Sequence, residues 1–124
     1  MKQDTFTLEG LETTVEIPLI TSIGGNDKPL ISIIVPVYQE EKIIEQNLSF
    51  YRKEILQKYS AELIVSDGGS SDRTIELAKK FTRKIALHRG NYRQTIAEGR
   101  NKGAMLANGD VFVFINGDTL PFDL

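Results

Sequence analysis

Leu30-Ile31-Ser32-Ile33-Ile34-Val35-Pro36-Val37-Tyr38-Gln39-Glu40-Glu41 opens on a nearly continuous β-branched run and closes on a polar, acidic tail. The run suits a strand covered on both faces, the kind found in parallel sheets. Pro36 cannot donate a ladder hydrogen bond, so the strand is expected to end there. Over residues 41–59, Ile44, Leu48, Tyr51, Ile55 and Tyr59 recur at spacings of four, three, four and four. That spacing predicts one face of a helix, with Tyr51 and Tyr59 in the core.

The same alternation continues downstream. Glu62-Leu63-Ile64-Val65-Ser66 reads as a short buried strand running into Asp67-Gly68-Gly69-Ser70-Ser71-Asp72, a loop rich in turn formers and helix caps. Residues 74–81 predict a helix with Ile75, Ala78 and Phe81 inward, and Lys84-Ile85-Ala86-Leu87-His88 predicts another strand. Thr95-Ile96-Ala97-Glu98 has the form of a capping box, opening a helix that runs to residue 107. Asn108-Gly109 is expected to stop it in the left-handed conformation. Asp110-Val111-Phe112-Val113-Phe114-Ile115 follows as a strand, ending in Asn116-Gly117-Asp118-Thr119. A β-α-β-α-β-α-β order with short loops and right-handed crossovers gives an α/β fold, a Rossmann-like, mostly parallel sheet with helices on both faces.

Upstream, residues 1–29 read as an N-terminal extension to the domain of residues 30–124. Phe6-Thr7-Leu8 and Val15-Glu16-Ile17 are strand-like, and residues 24–29 form a loop.

Composition narrows the partners. The chain has 124 residues, of which 40% are hydrophobic and 26% charged, an ordinary globular balance for one domain. The net charge is -2 and no basic block is present, so no nucleic-acid partner is expected. The absence of cysteine removes disulfides and thiolate metal sites and suits a reducing compartment. No apolar run reaches the length of a bilayer span, and no signal-peptide core follows the first residues. The expected location is cytoplasmic, with any membrane association supplied by other parts of a parent protein.

Ligands of open α/β sheets bind beyond the C-terminal ends of the strands, where the strand order reverses. The segments expected there are Pro36-Val37-Tyr38-Gln39-Glu40-Glu41, Asp67-Gly68-Gly69-Ser70 and Asn116-Gly117-Asp118. The first lacks the glycines of a dinucleotide site, and no Gly-Lys-Ser or Gly-Lys-Thr marks a P-loop. An acidic, aromatic loop suits a base or ribose and repels phosphate. A diphosphate then needs a hard cation, Mg2+ or Mn2+, held by one or two protein carboxylates, with Asp118 the obvious ligand. Arg100 or Lys102 would add positive charge.

Four segments, taken in order, resemble glycosyltransferase family 2. They are Ile33 through Glu41, Ile64 through Thr74, Gly99-Arg100-Asn101-Lys102-Gly103, and Gly109 through Thr119. The resemblance covers residue 30 onward and implies the N-terminal, nucleotide-binding portion of a GT-A fold. It implies that Pro36, Val37, Tyr38, Glu40, Asp67, Gly68, Arg100 and Gly117 hold the nucleotide, with Asp67 accepting a hydrogen bond from the base. Asn116-Gly117-Asp118 stands where the family carries an Asp-x-Asp metal motif, so Asp118 and Asn116 are the implied metal residues. Asn116, a neutral amide, replaces the first acid. The implied reaction moves a sugar, of hexosyl type, from a nucleotide-diphosphate sugar (a UDP-sugar is favoured) to the hydroxyl of a saccharide or lipid-linked acceptor.

In the family the acceptor site and a catalytic base lie further along the chain, so this stretch by itself is expected to be inactive or to need a partner chain. The alternative is a non-catalytic nucleotide-binding fragment or split half. A nucleotidyltransferase would show a Gly-rich basic loop after the first regular strand, where this loop is acidic; a receiver domain would need paired acids there and a lone phosphoacceptor Asp after a later strand, which Asp67-Gly68-Gly69 fits poorly. Plainer roles compete at single positions: Asp67 as a turn residue, Asp72 as a helix cap, Glu41 as surface, His88 as structural. An uncovered edge on the last strand would favour a homodimer.

Overall fold

The computed structural model describes the backbone of residues 3–8 and 13–18, and residues 28–119 in full. Its six strands are β1 (Gln3–Leu8), β2 (Thr13–Pro18), β3 (Ile31–Val37), β4 (Ala61–Asp67), β5 (Lys84–His88) and β6 (Val111–Phe114). The helices are α1 (Ile44–Leu48), α2 (Lys53–Lys58), α3 (Thr74–Ala78) and α4 (Ile96–Met105). One sheet orders the strands β1-β2-β5-β4-β3-β6. The run from β5 through β4 and β3 to β6 is parallel, as expected of the α/β pattern. The strand-like pieces of the N-terminal extension form β1 and β2, an antiparallel pair that continues the sheet beyond β5. Most of the loop expected at 24–29 lies outside the described residues.

Alternation along the central strands builds two cores. Val35, Leu63, Val65, Ile85 and Leu87 face α1 and α3, where Ile44, Leu48, Tyr51, Leu77 and Ala78 are buried against them. Ile34, Ile64 and Ala86 face the opposite way and pack with Leu106 at the end of α4. Helices therefore cover both faces of β3, β4 and β5, which is why the middles of these strands are apolar on both sides.

Four local expectations are corrected. β3 runs through Pro36 to Val37, with Pro36 in register with Ser66. The carbonyls of Ile34 and Pro36 accept from Ile115 and Gly117, so the donor that Pro36 lacks would point toward β6, which has already ended at Phe114. The carbonyl it would meet is that of Ile115, just past the end of β6, so the missing N–H coincides with the end of that ladder.

The single helix expected over 41–59 is two. Arg52 is extended, with ψ 166, and the Ser49 hydroxyl bonds back to the Gln46 carbonyl at 2.7 Å. The break leaves Tyr51 in the core but takes Tyr59 to the surface, 36% exposed.

Asn108-Gly109 is not left-handed; among the described residues only Gln39, Ser60 and Gly69 have positive φ. Gly109 is instead required by close approach, because a Cβ there would stand 2.7 Å from the Ser32 hydroxyl and 2.8 Å from its backbone nitrogen. The Thr95–Glu98 capping box is present as expected.

Candidate functional site

Strand order reverses at β3, which has β4 on one side and β6, reached through α4, on the other. The C-terminal ends of β3, β4 and β6 and the start of α4 enclose a cleft of about 200 Å³. Its walls include Pro36, Val37, Tyr38, Glu40, Gly68, Asn116, Gly117 and Asp118. Eight of the ten residues singled out from the sequence thus meet in one place.

The loops are tied together before any ligand arrives. Gly68 N–H donates to the Val37 carbonyl at 2.9 Å. Gln39, held at φ 50, accepts on its side-chain oxygen from the backbone of Ser71 at 2.8 Å, and its own N–H donates to the Ser70 hydroxyl at 2.9 Å. Such multiple bonding offsets the cost of a left-handed non-glycine residue. Asp67 is 1% exposed. One of its oxygens accepts from the backbone of Gly69 and Ser70, both at 2.8 Å, and the other from the Ser70 hydroxyl at 2.6 Å. It lies behind the cleft wall and shapes the Gly68–Ser70 turn. Asp72 accepts from the Thr74 backbone at 2.9 Å, a local bond just ahead of α3, whose N-cap is Arg73 and not Asp72.

The cleft carries a paired excess of acid. Glu40 is pushed up to about 7 by burial first, then by the negative charges of Asp118 and Asp67. One of its carboxylate oxygens is buried with no hydrogen-bond partner. Gln94, also on the wall and 9% exposed, has a buried side-chain oxygen in the same condition. Buried polar atoms are nearly always paired; of the four unpaired ones among the described residues, Tyr51 Oη and Ser66 Oγ lie off the wall and these two stand on it, beside the acidic groups of the cleft.

Positive charge enters from a residue that the sequence reading did not single out. The Arg93 guanidinium lies 3.9 Å from the centroid of the Tyr38 ring, on the cleft wall. Gln94, Thr95, Ile96 and Gly99 join it there from the start of α4. The one available signal was their position at a capping box, at the end of a loop leaving β5. Arg100 stands outside the wall, 3.5 Å from the Asn116 side-chain oxygen and 5.8 Å from the Phe114 ring centroid. Lys102 points elsewhere. It is 3% exposed, and its ammonium group donates to His88 Nδ1 at 2.9 Å. His88 Nε2 donates to the Tyr92 carbonyl at 2.8 Å, a structural role.

Among the described residues no three His, Cys, Asp or Glu side chains gather as a metal cage. The oxygen donors on the wall that suit a cation are the Asp118 carboxylate and the amide oxygen of Asn116. That set fits a hard cation which takes one or two protein carboxylates and completes its shell with ligand oxygens. A second recess of about 360 Å³, lined by Ile31, Ile33, Phe50, Leu56, Val113 and Ile115 among others, is wholly apolar at its surface and offers no such chemistry.

The model of glycosyl transferase family 2 matches residues 32–123. The chain belongs to that family. Glycosyltransferase AglE of Haloferax volcanii is 30% identical over 96 residues, covering 75% of this chain and 32% of the relative. A dolichyl N-acetyl-alpha-D-glucosaminyl phosphate 3-beta-D-2,3-diacetamido-2,3-dideoxy-beta-D-glucuronosyltransferase of Methanococcus voltae is 30% identical, covering 73% of this chain and 30% of the relative. The chain spans about a third of the length of these curated relatives. Among solved structures, the mannosyltransferase PcManGT of Pyrobaculum calidifontis, in complex with GDP-Man and Mn2+, aligns with TM-score 0.59 at 24% identity over 75% of this chain and 28% of that one. Staphylococcus aureus TarS aligns with TM-score 0.58 at 23% identity, over 72% of this chain and 16% of that one. At that identity the likeness concerns the fold, and the fold is GT-A.

Proposed function

We propose that this chain holds the nucleoside diphosphate end of a sugar donor in the cleft between β3, β4, β6 and α4, for transfer of the sugar to an acceptor hydroxyl. The observation that carries this reading is the pair of buried, unpartnered oxygens of Glu40 and Gln94 on one wall. Tyr38, backed by Arg93, gives a flat apolar face for a base. Glu40 and Gln94 offer polar partners to ribose or base, and Gly68 lets the ligand approach the backbone. Asp67 acts at one remove, by holding the turn that carries Gly68. Asn116 and Asp118 hold Mg2+ or Mn2+, which when bound neutralises the diphosphate as it departs. Arg93, with Arg100 beside Asn116, adds fixed positive charge, and the N-terminus of α4 adds a partial one. The cleft is smaller than the roughly 300–1,000 Å³ usual for a whole ligand. It therefore holds part of the donor, proposed as a UDP-sugar, with the phosphates lying across Asp118.

Glu40 and Asp118 are the carboxylates on the cleft wall, and both are assigned to the donor. For the 124-residue chain acting by itself we therefore propose binding without transfer, with a saccharide or lipid-linked acceptor engaged by other parts of the protein.

Calorimetric titration with UDP, GDP and dTDP, each with and without Mn2+, tests the reading. The expected result is UDP binding strengthened by Mn2+, with Asp118→Ala removing only the metal effect. A folded chain that binds none of the three nucleotides would sink it. Incubation with labelled UDP-sugar and free saccharides tests the second point; turnover at ordinary enzymatic rates by this chain would overturn it.

A further inference from the structure

We propose that Asn47 is a positioning residue for the turn that carries Asp118, a role that rests on the donor-site reading above. Asn47 lies on the inner face of α1, between Ile44 and Leu48, and is 7% exposed. The neighbouring buried positions of that face are apolar, and a buried amide there is costly unless its hydrogen bonds are met. Its side chain donates to the Gly117 carbonyl at 2.8 Å, a buried contact across 70 residues of sequence.

That carbonyl belongs to the peptide joining Gly117 to Asp118, so the bond fixes the plane from which Asp118 departs. The other side of Gly117 is fixed as well. Its N–H donates to the Pro36 carbonyl at 3.0 Å. Thr119 N–H closes the turn onto the Asn116 carbonyl at 2.9 Å. No hydrogen bond among the described residues holds the Asp118 carboxylate itself. Its aim over the cleft therefore depends on the backbone, and among the described residues the Asn47 bond is the only side-chain contribution to the Gly117 peptide groups. Without it the Gly117–Asp118 peptide loses the bond that sets its plane within the turn, and the aim of the carboxylate is less well defined. Outer-shell partners of this kind typically matter by about 10–100-fold in metal affinity.

The test compares the 124-residue chain with its Asn47→Leu and Asn47→Asp variants. Leucine keeps the volume and matches the apolar face but cannot donate. Aspartate keeps the shape but turns an acceptor toward an acceptor. UDP is titrated in EDTA, and Mn2+ is then titrated into the UDP-saturated chain, with thermal midpoints recorded for each protein. The expected result is metal-free UDP affinity within twofold of wild type and Mn2+ affinity at least tenfold weaker in both variants. The Leu variant melts lower than wild type because the buried Gly117 carbonyl loses its donor, but loss of Mn2+ affinity with metal-free UDP affinity kept is a split that a purely structural role would not produce.

Wild-type Mn2+ affinity in a folded Leu variant overturns the role of Asn47 and leaves the donor site standing. Absence of Mn2+-dependent nucleotide binding in the wild type overturns the donor-site reading, and the Asn47 role with it. Should the variants not fold, the wild type decides by NMR: the Asn47 side-chain amide signal is expected to shift when Mg2+ is added to the UDP-bound chain, and an unmoved signal overturns the proposal.

Discussion

The carboxylate of Glu40 occupies the space that a side chain on Gly117 would need. A Cβ at that position would also stand 2.7 Å from Val37 and 3.0 Å from the Pro36 carbonyl. Glu40 can swing aside, but the Pro36 backbone cannot, because it accepts the Gly117 N–H. Gly117→Ala should therefore displace the turn between Asn116 and Asp118. The expected outcome is a loss of about 1–3 kcal/mol of stability, as for other overpacked sites, together with loss of the Mn2+ effect on nucleotide binding. Urea unfolding and calorimetry measure the two.

The raised titration of Glu40 gives stability a specific pH dependence. In the unfolded chain its carboxyl takes the ordinary value of 4.5; in the folded chain it is held at about 7. The folded state thus binds the extra proton between those values, so this group's contribution is fully present below pH 4.5 and lost as pH rises through 7. Glu40→Gln removes the dependence. Relative to wild type, the variant should gain about 1–2 kcal/mol between pH 5 and pH 8, a figure discounted for the open side of the cleft. Urea midpoints at the two pH values measure it, and an unchanged difference would count against the buried charge.

The α/β order and the meeting of three loops at the C-terminal ends of the strands were legible because both follow from periodicity. β-branched runs, capping signals and turn residues are local features, and the reversal rule converts them into a place. Arg93 and Gln94 were not legible, because they reach the cleft through the path of the loop after β5, which no periodicity specifies. The split between α1 and α2 was hidden for a related reason. The apolar spacing from Ile44 to Tyr59 continues across the break, and only the backbone of Arg52 interrupts it. Lys102 and Asp67 show the limit of reading roles from position. Both sit near the cleft in sequence, yet Lys102 is buried against His88 and Asp67 is spent on its own turn.

Arg93 stacks on Tyr38 with its guanidinium 3.9 Å from the ring centroid. In that position it stiffens the face offered to a base and supplies charge toward the phosphates. Arg93→Ala should weaken UDP binding roughly tenfold, an energy of about 1–2 kcal/mol for a cation over a partly desolvated ring. Arg93→Lys should recover part of it. Raising NaCl from 50 to 500 mM should narrow the gap between wild type and Arg93→Ala by screening. Calorimetry across that series provides the check.

At the opposite end of the strands, Glu62 ties four segments together. Its carboxylate accepts from Ser32 at 2.6 Å, from the Asn108 backbone at 2.7 Å and from Lys84 at 2.5 Å. Lys84 also reaches the Leu106 carbonyl at 3.1 Å. Glu62→Ala leaves a fully buried hydroxyl and a largely buried ammonium group short of a partner. A loss of about 2–4 kcal/mol is expected. Nucleotide affinity should be unchanged in the folded fraction, because no member of this network lines the cleft.

Among the described residues, β6 closes the sheet order and pairs with β3 on one side only. Its four residues are exposed on both faces: Val111 50%, Phe112 44%, Val113 37% and Phe114 42%. An apolar strand with a free row of N–H and C=O groups is a template for another strand. The chain by itself should therefore self-associate through β6, most simply as an antiparallel pair of copies. Phe112→Lys and Val113→Lys place charges on the two faces of that strand, and neither residue lines the nucleotide cleft. Each should lower the mass-weighted association seen in sedimentation at high concentration, the pair more than either single change. A wild-type chain that sediments as a monomer throughout that range would remove the β6 edge as an interface between copies.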